Sequence, residues 1–387
     1  MLVCNNPALA RRFTNQRMDT AMCNARRNNT TQVPNTLIQL GILLDQPDMR
    51  TVCRTVDGQD YIFQGISGRI QDNSVSLVFA SERMITFLQS CDYLHINVSV
   101  VGKLRKPYCS QIFNVLTKYG SAVIPIVRVL MRERTEAAYM ALFNHLRALA
   151  PNLQPTRLHC DFEGAQVNAI RQSFPGCVVE GSLWNYGVQC SSEAFKLGLS
   201  PLAARNDLVL SFIKCLCAAP LLPVGLIEPG VEEIWREVQA SGWADDLEPL
   251  FVYFRRDWLP HVAELSVYDC PRRTSYCCYS DNRMLAYVSP QNDQNIWCLL
   301  RGFVQAEHLS WSDKLAIDRR EVVSDSRKWK EIAKERRVCR LIRRLDKNEI
   351  SPGRVLKETS HFVAAAVHYG LQLNNRVSYS QSSNDSD

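Results

Sequence analysis

The sequence has no apolar run long enough to cross a membrane. Its two most apolar windows are Ala122–Met131, broken by Pro125 and Arg128, and Cys215–Ile227, broken by Pro220 and Pro223. Neither approaches the ~20 apolar residues of a spanning helix. Met1–Ala10 lacks the apolar centre of a secretory leader, so a nuclear or cytoplasmic protein is expected, not a secreted one. No Cys-x-x-Cys pair occurs, and no Cys/His set has zinc-finger spacing. Only Cys4 and Cys23 precede the expected ordered part, and no histidine precedes His95, which excludes a zinc module at the N-terminus. No internal repeat is present.

What the chain does contain is ordinary globular material. It has 387 residues, 46% hydrophobic and 22% charged, enough for two or three structural units. Its 15 cysteines are scattered, with Cys215/Cys217 and Cys277/Cys278 the close pairs, and read as reduced thiols packed in the interior. Charge is uneven. Arg327–Lys347 holds ten Lys/Arg and three Asp/Glu, a net of +7, so the rest of the chain sums to −1 against a total of +6. Met1–Asn35 carries five arginines, one aspartate and seven asparagines without apolar periodicity. It reads as a disordered basic arm over 1–35, and the Ser/Asn-rich 376–387 as a disordered tail.

Periodicity and turn residues suggest strands at 61–66 and 75–79 and a helix at 82–90, forming a small α+β region over 36–92. Strands follow at 93–100, 111–116 and 122–131, spaced as an antiparallel meander. Thr135 is placed to cap a helix through Leu149 with Tyr139, Leu142, Phe143 and Leu146 on one face. Next come a strand at 156–160, a helix at 163–173 and a strand at 177–179. The order β-β-β-α-β-α-β is that of a ribonuclease-H-like α/β core, expected over 93–310 with a helical insertion at about 193–265. Segments 203–217, 231–241, 247–254, 282–288 and 295–309 read as helical, as does a basic C-terminal region over 311–375. Asp161 stands at a strand-to-helix junction, a position that favours an N-cap. His95 and His159 read as satisfied strand histidines, since no partner spacing supports a metal.

The segments IPIVRVLMRERTEAAYMAL (Ile124–Leu142), LQPTRLHCDFEGAQVNAIRQSF (Leu153–Phe174), Gly181–Gln189 and Leu265–Arg283 together resemble Mutator-like element (MULE) transposases. The resemblance runs from Leu94 to Trp311, more than half the chain. It implies a ribonuclease-H-like core in which Asp, Asp and Glu hold two metal ions that activate a water or a DNA 3′-hydroxyl against a phosphodiester. Carried over position by position, the first Asp falls on Asn97, the second on Asp161 of Asp-Phe-Glu, and the final Glu on Tyr279. The family's Cys-x-x-His pair falls on Ser182 and Asn185. One carboxylate of three remains. Asn97 offers a neutral carbonyl and Tyr279 a phenol that stays protonated at neutral pH, so any Mg²⁺ would rest weakly on Asp161 alone.

Three functions stay open from the sequence. The chain is a catalytically inactive transposase derivative that binds nucleic acid or a chromatin partner, an active DNA transposase or nuclease with displaced ligands, or a decaying element copy. Non-specific DNA is the partner expected for Arg327, Lys328, Lys330, Lys334, Arg336, Arg337, Arg340, Arg343 and Arg344, through phosphates rather than base edges. The plain alternative is a solvated helix face. On a helical wheel Trp329, Ile332, Ala333 and Cys339 fall on one side of this stretch and Val338, Leu341, Ile342 and Leu345 on the other. No membrane and no small-molecule substrate is implied.

Overall fold

The computed structural model of the protein describes residues 33–71, 74–99, 107–120, 122–268, 270, 273, 295–321, 323 and 329–371. The expected helix at 282–288, and with it Tyr279, Cys277 and Cys278, lies outside them.

The chain forms an α/β fold on one mixed sheet of seven strands. In chain order the elements are α1 (Leu37–Leu44), β1 (Phe63–Ser67), β2 (Ser76–Phe79), α2 (Glu82–Leu88), β3 (Tyr93–Ser99), β4 (Gln111–Tyr119), β5 (Ala122–Met131), α3 (Glu136–Leu149), β6 (Arg157–Cys160), α4 (Gly164–Ser173) and β7 (Val178–Gly181). Helices follow: α5 (Leu183–Lys196), α6 (Ser200–Ala203), α7 (Asp207–Ala218), α8 (Val224–Ala240), α9 (Ala244–Tyr253), α10 (Val262–Leu265), α11 (Ile296–Asp318), α12 (Trp329–Asp346) and α13 (Pro352–Thr359). Residues 364–371 are helical again.

The strand order is β1-β2-β5-β4-β3-β6-β7. β3, β4 and β5 form the expected antiparallel meander, and β6 and β7 run parallel to β3. Parallel neighbours need a crossover, and α3 and α4 supply it. β1 and β2, from the 36–92 region, extend this same sheet beyond β5, with Val78 opposite Val129.

Strand alternation sorts the side chains onto two faces. Phe113, Val115, Val127, Val129 and Leu158 share one buried cluster with Tyr139, Leu142, Phe143 and Leu146 of α3 and Ile170 of α4. Burying each such side chain contributes ~1.5–3 kcal/mol. Thr135 caps α3 by accepting a hydrogen bond from the Ala138 N–H at 3.3 Å. On the other face Leu77, Phe79, Ile112 and Leu130 join α1 and the Trp297, Leu300 and Phe303 stripe of α11.

A third cluster is mostly helical. It takes Val209, Phe212 and Ile213 from α7, Val231, Ile234 and Trp235 from α8, and Leu250 and Phe251 from α9. Trp235 stacks on Phe251 with ring centroids 4.3 Å apart. Val338, Ile342 and Leu345 of α12 and Val355 and Leu356 of α13 belong to this same cluster. Helix α11 runs on to Asp318 and ends at Arg320, whose φ of 61° is left-handed.

Candidate functional site

Asn97 and Asp161 come together through strand register. β3 and β6 pair in parallel, with Tyr93 beside Arg157 and His95 beside His159. Asn97 lies two residues beyond this pairing in β3, and Asp161 two residues beyond it, just past the end of β6. The sheet therefore carries the two resemblance positions at the same end of neighbouring strands. Tyr279 lies outside the described residues.

The Asp-Phe-Glu motif sits at the carboxyl end of β6 and fastens three elements. The Asp161 carboxylate accepts a hydrogen bond from the Asn185 side chain of α5. Phe162 lies over Gly181, where a Cβ would stand 1.8 Å from its ring, and meets the Trp258 ring edge-on at 5.2 Å. Glu163 accepts a hydrogen bond from the Tyr139 hydroxyl at 2.9 Å, and that hydroxyl accepts one from Gln111 at 3.1 Å.

Asp161 is not the expected helix cap. Helix α4 begins at Gly164 with Glu163 as its N-cap residue, and no side chain bonds the free N–H groups there. The physical reason is position, since a helix that begins at Gly164 leaves Asp161 two residues ahead of the cap. Burial and the nearby charge of Glu163 push the Asp161 carboxyl up to about 6, against the opposing pull of Asn185 and Arg134.

This set does not fit a pair of Mg²⁺ ions. A hard divalent cation needs several anionic oxygens, and two ions about 4 Å apart need more. Among the described residues no group of three potential Asp, Glu, His or Cys ligands forms around Asp161. The sheet also brings positive charge inward. Asn97 is opposite Asn114, and Asn114 is opposite Arg128. The Arg128 guanidinium, buried at 5% exposure, donates to Asn114 at 2.8 Å and lies 5.8 Å from the centre of the Phe303 ring. The Asn114 amide and the Arg128 guanidinium on this row oppose cation binding there.

The basic segment divides by face. Val338, Leu341, Ile342 and Leu345 are buried, as the helical wheel indicates, whereas Trp329 on the other apolar side is 73% exposed. Arg336, Arg337, Arg340, Arg343 and Arg344 are exposed and Lys334 is half-buried. Arg337 pairs with Glu358 at 3.5 Å and Arg344 with Glu349 at 3.4 Å. Arg336, Arg340 and Arg343 make no ion pair among the described residues, and their spacing keeps them in one solvent-facing stripe ~10 Å long. Arg327 and Lys328 lie outside the described residues, as does the side chain of Lys330.

Sequence reasoning missed one cluster. His159 of β6, Glu180 of β7 and Cys270 after α10 are all buried and bring one potential ligand atom each within 4.8 Å of one another. The expectation that His159 is satisfied in its strand does not hold, because its Nδ1 is buried without a hydrogen-bond partner. Tens of residues separate the three, so spacing carries no signal. Only the pairing of β6 with β7, which sets His159 beside Glu180, reveals them.

Comparison with known protein families and with curated proteins finds no match for this chain. Among the described residues no helix is long and apolar enough to cross a membrane.

Proposed function

We propose that the chain is a transposase-derived protein of the Mutator-like element class that binds nucleic acid through α12 and performs no phosphodiester chemistry. The ribonuclease-H-like part of this reading is supported by the order β5-β4-β3-β6-β7, in which the first three strands of the unit are antiparallel and the last two parallel to β3. The absence of catalysis is supported by the partners of Asp161 and Glu163 and by the buried Arg128.

The observation that carries the binding function is the stripe Arg336, Arg340 and Arg343, exposed and unpaired among the described residues on a helix whose other face is locked into the helical core. Guanidinium groups held on a rigid helix meet phosphates without paying for release from carboxylates. Such contacts position a duplex but read no bases.

The test is binding to a fluorescent DNA duplex at several salt concentrations. Three phosphate contacts contribute about −2.7 to the slope of log K against log salt, at −0.9 each. Replacing Arg336, Arg340 and Arg343 together by Gln should flatten the slope by that amount with the fold intact. An unchanged slope makes the stripe a solvated helix face, and no binding at low salt rejects nucleic acid as the partner.

A further inference from the structure

The cluster missed by sequence lies on the sheet face opposite α3 and α4. His159 and Glu180 are neighbours in register on β6 and β7, and Cys270 arrives from the segment that follows α10. All three are nearly excluded from water, at 2%, 4% and 3% exposure. Their potential ligand atoms form a triangle no wider than 4.8 Å.

Each member offers one donor atom to the same centre. His159 Nδ1 has no hydrogen-bond partner, an expensive omission in a dry interior. Glu180 is oriented by two donors, Arg157 Nε to Oε1 at 3.2 Å and the Tyr93 hydroxyl to Oε2 at 2.9 Å. Supporting contacts of this kind hold a ligating carboxylate in place. The Cys270 thiol makes its hydrogen bond to Glu180, so its sulfur faces the same centre.

We propose that His159, Glu180 and Cys270 bind one divalent transition metal of the zinc class, with a water in the fourth position. Imidazole nitrogen, thiolate sulfur and carboxylate oxygen are the donor set of Zn²⁺ rather than of Mg²⁺ or Ca²⁺. Bonds of about 2.0–2.3 Å in a tetrahedron set ligand atoms about 3.5 Å apart, so closing the triangle by about 1 Å completes the site. Binding releases the Cys270 thiol proton to solvent. The metal fastens the segment carrying Cys270 to β6 and β7, beside the level of Asn97. It does not depend on the nucleic-acid reading, and either stands if the other fails.

The experiment uses the full chain, reduced, freed of metal with a chelator, and titrated with Co²⁺. One Co²⁺ per chain should bind, with a thiolate-to-cobalt charge-transfer band that added Zn²⁺ removes. Cys270→Ser should abolish the band, while Cys177→Ser, which alters a thiol outside the cluster, should keep it. Glu180→Gln keeps one acceptor oxygen for Arg157 and sets an amide NH₂ against the Tyr93 hydroxyl, which can turn to accept it, and should weaken Co²⁺ binding at least tenfold. Absence of a band in the wild-type chain overturns the proposal, as does a band that survives Cys270→Ser. If circular dichroism shows Cys270→Ser unfolded, Glu180→Gln decides, and unchanged affinity in that variant rejects the site.

Discussion

The carboxyl end of β6 and the solvent face of α12 use charge in opposite ways. At Asp161–Glu163 each polar side chain meets a protein partner, Asn185 for Asp161 and Tyr139 for Glu163. On α12 the arginines of the stripe face water with no carboxylate among the described residues within ion-pair distance. A carboxylate held this way is part of the architecture and cannot reach a substrate without breaking a contact. An unpaired guanidinium on a rigid helix costs the fold little and remains available. On the proposed reading, the Asp-Phe-Glu region serves as a structural joint and the solvent face of α12 is the surface offered to a ligand.

The sharpest way to break this comparison is Gly181→Ala. The new Cβ would meet the Phe162 ring at 1.8 Å, forcing the ring away from Trp258 and loosening the sheet from the helical cluster. Overpacking of this kind costs ~1–3 kcal/mol, at the upper end here because the ring is wedged between two elements. A denaturant melt should show the loss. Wild-type stability would mean that Phe162 moves freely and that the motif is not a joint.

Asp161→Asn should act in the other direction. The carboxyl ionises at about 6 in the folded chain and near 3.9 when unfolded. Between those values the unfolded chain has released its proton and the folded chain still holds it. Stability is thus lost as pH rises from about 4 to 6 and stays lower above that. The amide avoids this cost and still accepts from Asn185. The variant should gain on the order of 2 kcal/mol at pH 7.5 and almost nothing at pH 4. A loss at pH 7.5 would show that the charge is needed there.

Tyr139→Phe removes the hydroxyl that joins Gln111 to Glu163. The ring stays packed in the core, so the cost is the bond and the stranded partners, ~1–2 kcal/mol. Equal stability of the variant in a thermal melt would return Glu163 to solvent and leave it available as a ligand.

How far the sequence shows this arrangement depends on where the signal lies. Helix α3 is legible because its cap, Thr135, and its buried stripe, Tyr139, Leu142, Phe143 and Leu146, are local. The meander is legible from the alternation in β3 and the short gaps after it. Helix α5 is not, because Asn185, Gly187, Ser191 and Ser192 within it have weak helix propensity. Its signal was Ser182, which accepts from the Asn185 N–H at 3.4 Å. At the candidate site, the place of Asn97 and Asp161 at the same end of β3 and β6 follows from strand order, but the nearby Asn185 and the buried Arg128 do not, since each comes from another element. The His159, Glu180 and Cys270 cluster is invisible for the same reason.

The smallest effect separates two arginines on one helix. Arg337 shares Glu358 with Arg354, which lies 2.9 Å from that carboxylate, closer than Arg337 at 3.5 Å. Arg340 has no such partner among the described residues. Both side chains are exposed, so Arg337→Gln and Arg340→Gln should each leave the melting temperature within about one degree of wild type. Their effect on DNA should differ. A free guanidinium on phosphate contributes a full counterion release, so Arg340→Gln should reduce the salt slope by about 0.9. Arg337 must leave Glu358 to make the same contact, so its replacement should change the slope by less than half of that. Equal changes at both positions would show that the Glu358 pair does not restrain Arg337, and that exposure alone, rather than freedom from a partner, selects the residues that bind.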